Sequence, residues 1–207
     1  MVFKMINDNE ITEQSDKFEY SYHVTLNLNA RLHPMHRYDL EVALEEILSE
    51  RKLGCVDGGG TMQLPSGEIE FCDIELILKD NSEESLVSLE SIIEKLGVAK
   101  GSKLLLWNEA DEDVWCERPV GNLEGMALYL NGTDLPAEVY QTSDINYVIE
   151  QTESLIKGIG AMYSWWEGPQ NTALYFYGES YEKMLAAIKN FTEEYPLCQK
   201  CVITQIA

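Results

Sequence analysis

Residues 54–61 read GCVDGGGT, and the fold turns on whether these glycines cradle a phosphate or relieve crowding inside a sheet. A phosphate loop runs from a strand through glycines into a helix whose first amides meet the anion, with Lys or Ser/Thr on that helix. Here the order is reversed. Leu40, Ala43, Leu44, Ile47 and Leu48 recur at helical spacing before the stretch, Arg51 and Lys52 follow in the last turn, and Gly54 terminates the helix. Gly58, Gly59 and Gly60 then lead into Thr61 and a hairpin, the next lysine is Lys79, and Asp57 would repel phosphate. The stretch therefore reads as a bulged, twisted strand with something packed close to its bare backbone.

Working outward, residues 20–29 form a strand in which Tyr22, Val24, Leu26 and Leu28 alternate with Ser21, His23, Thr25, Asn27 and Asn29. Asp39 is the candidate cap of the first helix, leaving ARLHPMHRY (30–38) as a connection. Strands at 55–64 and 68–78 are joined by the turn Pro65-Ser66-Gly67. Asn81 or Ser82 caps a second helix, with Glu83 and Glu84 complementing its dipole and Leu86, Leu89, Ile92, Ile93 and Leu96 as its apolar stripe. Residues 103–107 close the unit as a strand.

The second half repeats this order. LYLNGTDLP (128–136) echoes LNLNARLHP (26–34), a helix is expected over about 144–157, and a hairpin spans 161–177 around Gly168-Pro169-Gln170-Asn171. Tyr181, Met184, Leu185, Ile188 and Phe191 make a last helix that Tyr195-Pro196 stops, before a final strand at 201–206. This organises the chain into an N-terminal arm (1–17), a first unit (18–110), an acidic linker (111–124) carrying Pro119 and Gly121, and a second unit (125–207). The twofold order strand, helix, strand, strand, helix, strand resembles the ferredoxin-like motif. That resemblance implies an α+β fold of two tandem ferredoxin-like βαββαβ units, each an antiparallel sheet with two helices on one face. It names no activity.

Charge narrows the function. With 36 acidic and 15 basic side chains the formal net charge is -21, a field that repels nucleic acid and anionic membranes and attracts a basic protein partner. No window approaches the roughly 20 apolar residues of a membrane span. Asp8, Glu10 and Glu13 interrupt the N-terminal region where an export signal needs an apolar run, so a cytoplasmic protein is expected. The five cysteines, including Cys198-x-x-Cys201 ahead of an apolar end, read as reduced structural thiols.

No nucleophile, acid/base pair, cofactor motif or metal set can be named. Pro34 disfavours a helix on which His33 and His36 share a face, so the two imidazoles read as solvated loop residues. On the first sheet His23, Thr25, Asn27, Asp73 and Glu75 make a polar, acidic face unsuited to stacking RNA bases. On the second, Leu128, Leu130, Leu174 and Phe176 point inward while Tyr129, Tyr175 and Tyr177 point outward, joined by Trp165 or Trp166. The candidate partner or inter-domain interface is therefore Tyr129, Trp165, Trp166, Tyr175 and Tyr177, with Asp57, Gly58, Gly59, Gly60, Asp73 and Glu75 on the first unit. The glycines are expected to receive large side chains from the aromatic hairpin of the other half or from a partner.

In scale, acidity and lack of catalytic residues the chain is similar to bacterial immunity proteins. That likeness implies a non-enzymatic module that neutralises a basic toxin domain by charge-complementary docking. The alternative is a small-molecule sensor similar to ACT-type regulatory domains, which pair ferredoxin-like units and bind ligands at their interfaces. An enzyme with an inter-domain cleft ranks third, and a homodimer is a further arrangement left open.

Overall fold

The computed structural model describes residues 22–108 and 113–207. Its first half runs β1 (Tyr22–Leu28), α1 (Pro34–Glu50), β2 (Gly54–Gln63), β3 (Ile69–Leu78), α2 (Glu83–Leu96), β4 (Ser102–Asn108) and β5 (Asp113–Val120). These strands form one sheet in the order β2-β3-β1-β4-β5. The second half runs β6 (Glu124–Asn131), α3 (Ala137–Thr142), α4 (Ile145–Leu155), β7 (Gly160–Glu167), β8 (Asn171–Gly178), α5 (Tyr181–Glu194) and β9 (Val202–Gln205), with sheet order β7-β8-β6-β9. All neighbouring strands are antiparallel. In both halves the first and third strands lie centrally, flanked by the second and fourth, which is the ferredoxin-like arrangement. The chain is a tandem of two such α+β units.

Local chemistry explains the elements. In β1 the alternation puts Val24, Leu26 and Leu28 into a core with Leu44 and Leu48 of α1 and Leu89 and Ile93 of α2. Of the two candidate caps of α2, Ser82 performs the role, its hydroxyl accepting the amide of Ser85. Ser180 and Asp144 cap α5 and α4 in the same manner.

Two expectations are corrected. Helix α1 begins at Pro34, a full turn before Asp39, because proline fits the first helical turn, where its missing N–H has no carbonyl to meet. His33 and His36 therefore flank the helix start with ring centroids 5.8 Å apart, rather than lying in a loop. The segment 111–124 is also more than a linker. Its residues Asp113–Val120 are β5, paired to β4 from Asn108↔Asp113 to Ser102↔Val120. Arg118 anchors this strand to α2 through two 2.8 Å bonds to Glu83 and a bond to Glu90, while Glu94 accepts the Gly121 amide at 2.7 Å. Pro119 is tolerated because β5 is an edge strand. The expected arm, 1–17, lies outside the described residues.

The units meet through the second sheet. One face of the second sheet, with Met126, Leu128, Leu130, Leu174 and Phe176, makes a core with Val148, Met184 and Ile188 of its own helices. Its other face, with Ala127, Ala173, Tyr175 and Tyr177, merges into the core of the first unit. The second sheet is thus covered on both sides.

Candidate functional site

The aromatic face of the second sheet is internal. Tyr175 and Tyr177 are buried and Tyr129 is half-buried. The feature that draws them in is an ion pair between Arg31, just beyond β1, and Glu68, just before β3. One Glu68 carboxylate oxygen accepts from Arg31, from the Tyr129 hydroxyl at 2.6 Å and from the Tyr175 hydroxyl at 2.8 Å. The Arg31 guanidinium stands 5.5 Å from the Tyr175 ring centroid, and its amide donates to Tyr177 Oη at 2.9 Å. Ser164 of β7 donates to the Arg31 carbonyl. Charge, hydroxyls and rings together fasten the two units, since each polar group taken from water there finds a partner. Burial, then the hydrogen bond to Glu68, holds the Tyr175 phenol well above the ordinary tyrosine range. Burial does the same to Tyr177.

Trp165 and Trp166 part company. The register shift between Met162 and Ser164 resets the alternation of β7, leaving Trp166 packed against the first unit's core and Trp165 opposite Leu174 on the helix side. Trp165 remains 43% exposed.

The glycines are occupied by a neighbour that sequence reasoning did not find. Arg37 of α1, only 6% exposed, reaches across β2: it bonds the Gly60 carbonyl at 2.6 Å, Thr61 Oγ1 at 2.9 Å and Glu41 at 2.5 Å. A Cβ on Gly59 would lie 2.9 Å from Arg37 Nη2 and 2.5 Å from the Asp73 carbonyl. Gly58 has φ +149° at the register shift that makes the bulge. The expectation that the other half's aromatic hairpin fills this place is thereby corrected, because that hairpin packs near Gly67, where Trp166 Nε1 would lie 3.9 Å from an added Cβ. Arg37, in contact with bare backbone, was signalled by the glycines but not identified by them. Asp57 and Gly58 stay exposed and away from the tyrosines.

The face of the first sheet turned from its helices carries a different pattern. Register places Glu75, Thr25 and Leu105 in one row, and Asp73, Asn27 and Lys103 in the next. Trp107 Nε1 donates to Thr25 Oγ1 at 2.8 Å, Thr25 donates to Glu75 at 2.8 Å, and Asn27 donates to Asp73 at 2.7 Å. Trp107 and Trp115 are 37% and 56% exposed, and neither joins a core cluster. These carboxylates and the Trp107 indole form an amphipathic surface, and Trp115 stands exposed on β5, the strand beyond β4. Trp107 and Trp115 were absent from the expected interface. Their signal was position on β4, which flanks β1, and on β5 beyond it, visible only once β5 is placed in the sheet.

Two clefts open elsewhere among the described residues. One, of about 350 Å³, opens between α1 and β7 and is lined by Leu32, His36, Asp39, Leu96, Met162 and Tyr163 among others. Among the described residues His36 Nδ1 is buried there without a hydrogen-bond partner, and burial, then the neighbouring His33, lowers its pKa. The other, of about 450 Å³, lies beside Trp165. Among the described residues no group of three or more His, Cys, Asp or Glu side chains is placed to hold a metal ion, and no helix is long and apolar enough to cross a membrane. Burial pushes the Cys198 thiol up to about 12 and Cys72 up to about 11, which makes both poor nucleophiles.

No protein-family model and no curated protein matches the chain. Solved structures give distant likenesses. The regulatory subunit of aspartate kinase from Thermus thermophilus is 14% identical, over 82% of this chain and 92% of that one, with a TM-score of 0.25. A mutant chlorite dismutase from Candidatus Nitrospira defluvii is 10% identical, over 89% and 90%, with a TM-score of 0.29. The first two RRM domains of yeast poly(U) binding protein are 8% identical, over 90% and 99%, with a TM-score of 0.23. Strand order and pairing, rather than these superpositions, define the fold.

Proposed function

We propose that the protein is a non-enzymatic binding module that docks a basic protein on the outer face of its first sheet. The observation that carries this reading is the exposed Trp107 indole, linked through Thr25 to the Glu75 carboxylate, with a second exposed indole, Trp115, on the next strand β5, in a chain of net charge -21. Indoles supply buried contact area at a docked interface, and carboxylates steer and orient a cationic partner. The tyrosine face cannot serve, because the first unit already covers it. The bulk likeness to immunity proteins makes a basic toxin domain the first partner class to test.

The test is affinity capture from native cytoplasm on immobilised protein, in parallel with a Trp107→Ala/Trp115→Ala variant, followed by association kinetics with the identified partner. The expected partner is basic, is lost by the variant, and associates at least tenfold more slowly between about 50 and 500 mM salt. Retention by the variant, or an association rate indifferent to salt, overturns the reading.

A second reading, small-molecule sensing between paired units, is favoured by the α1–β7 cleft, because its walls come from both halves. Saturable thermal stabilisation by a metabolite, abolished by Ala43→Trp within the cleft, would promote it over docking.

A further inference from the structure

We propose that the cleft between the first turn of α4 and the β7–β8 hairpin binds a small organic cation, an ammonium head carried on an apolar chain. Its floor is apolar: Ile145 and Ile149, one helical turn apart, face Leu174 of β8. Its mouth is polar and negative. Trp165 pairs with Leu174 and Glu167 with Thr172, so two residues of β7 spaced by two present an indole and a carboxylate on the same side of the strand.

Among the described residues the Glu167 carboxylate and the Thr172 hydroxyl make no hydrogen bond or ion pair, and no Lys, Arg or His lines the cleft. The volume of about 450 Å³ falls within the usual range for small-ligand sites. An indole face attracts a cation through its quadrupole, an adjacent carboxylate adds Coulombic attraction, and an alkyl tail displaces water from the isoleucines. An anionic ligand meets repulsion from Glu167 and from the chain's overall charge. The Trp165 ring makes a tilted contact with His33, centroids 6.2 Å apart, and its carbonyl lies 3.0 Å from His33 Nε2. This site lies on the helix side of the second sheet and does not rest on the docking reading.

The test uses ¹⁵N-labelled full-length protein, with the Trp165 indole resonance assigned through Trp165→Phe. Choline and hexylammonium are titrated beside 3,3-dimethylbutan-1-ol, the neutral analogue of choline. The expected result is a saturable shift of the Trp165 indole with either cation, at least tenfold weaker binding of the neutral alcohol, and about fivefold or greater weakening in Glu167→Gln. Glu167 and Trp165 are exposed, so the variants' unfolding midpoints should match the parent and separate lost binding from lost fold. Equal binding of the neutral alcohol, an unaffected Glu167→Gln, or no Trp165 response to either cation overturns the proposal.

Discussion

The Arg37 guanidinium lies over the backbone of Gly59, where a β-carbon would stand 2.9 Å from its Nη2. Between them, the helix and the bulged strand use the same space: the arginine needs a bare backbone to reach the Gly60 carbonyl. Gly59→Ala is therefore expected to destabilise the protein by about 2 to 3 kcal/mol, the cost of an added carbon with nowhere to go. Gly60→Ala is the control, since its Cβ would meet only Asp73 Oδ2 at 3.9 Å. Urea unfolding of both variants checks the contrast; equal effects would remove the explanation.

The Glu68 carboxylate joins the two units through Arg31, Tyr129 and Tyr175. Removing it in Glu68→Ala strands a largely buried guanidinium and two hydroxyls, an expected loss of about 3 kcal/mol. Tyr175→Phe keeps the ring and loses one hydrogen bond, for about 1 kcal/mol. Denaturant curves followed by tyrosine and tryptophan fluorescence read both values.

Alkaline pH should loosen the same contact. Burial is the largest cause holding Tyr175 and Tyr177 above the ordinary phenol value of about 10. The folded protein keeps protons that the unfolded chain releases, so this contribution is complete below about pH 10 and declines as pH rises beyond it. The unfolding midpoint is expected to fall above about pH 10, and less steeply in a Tyr175→Phe/Tyr177→Phe variant measured against its own value at pH 8. Tyrosinate absorbance reports the ionisation directly.

Cys72 and Cys198 are buried, with thiols pushed up to about 11 and about 12. Neither is expected to react with a disulfide reagent at pH 8 in the native state, and both should react once urea opens the cores. Mass mapping of modified peptides before and after unfolding checks this site by site.

Much of the architecture was legible because the periods of strand and helix are local. The alternation Val24, Leu26, Leu28 and the stripe Leu86, Leu89, Ile92, Ile93 depend on neighbours in the chain and survive into the structure. Strand β5 was not legible: DVWCERPV resembles a punctuated linker until Arg118 meets Glu83 and Glu90 of α2. The start of α1 was hidden for another reason, since Pro34 reads as a breaker unless it occupies the first turn.

By itself the sequence determined the duplicated βαββαβ order and the negative charge, both set by residue type and short-range spacing. What covers each face was decided only in three dimensions. A one-residue register shift at Met162/Ser164 sent Trp166 to the first unit and Trp165 to the helix side, and Arg37 rather than an aromatic ring took the place above Gly59. The physical reason is that a bulge inverts the facing of every later side chain, and a close backbone approach names no partner until distant segments meet.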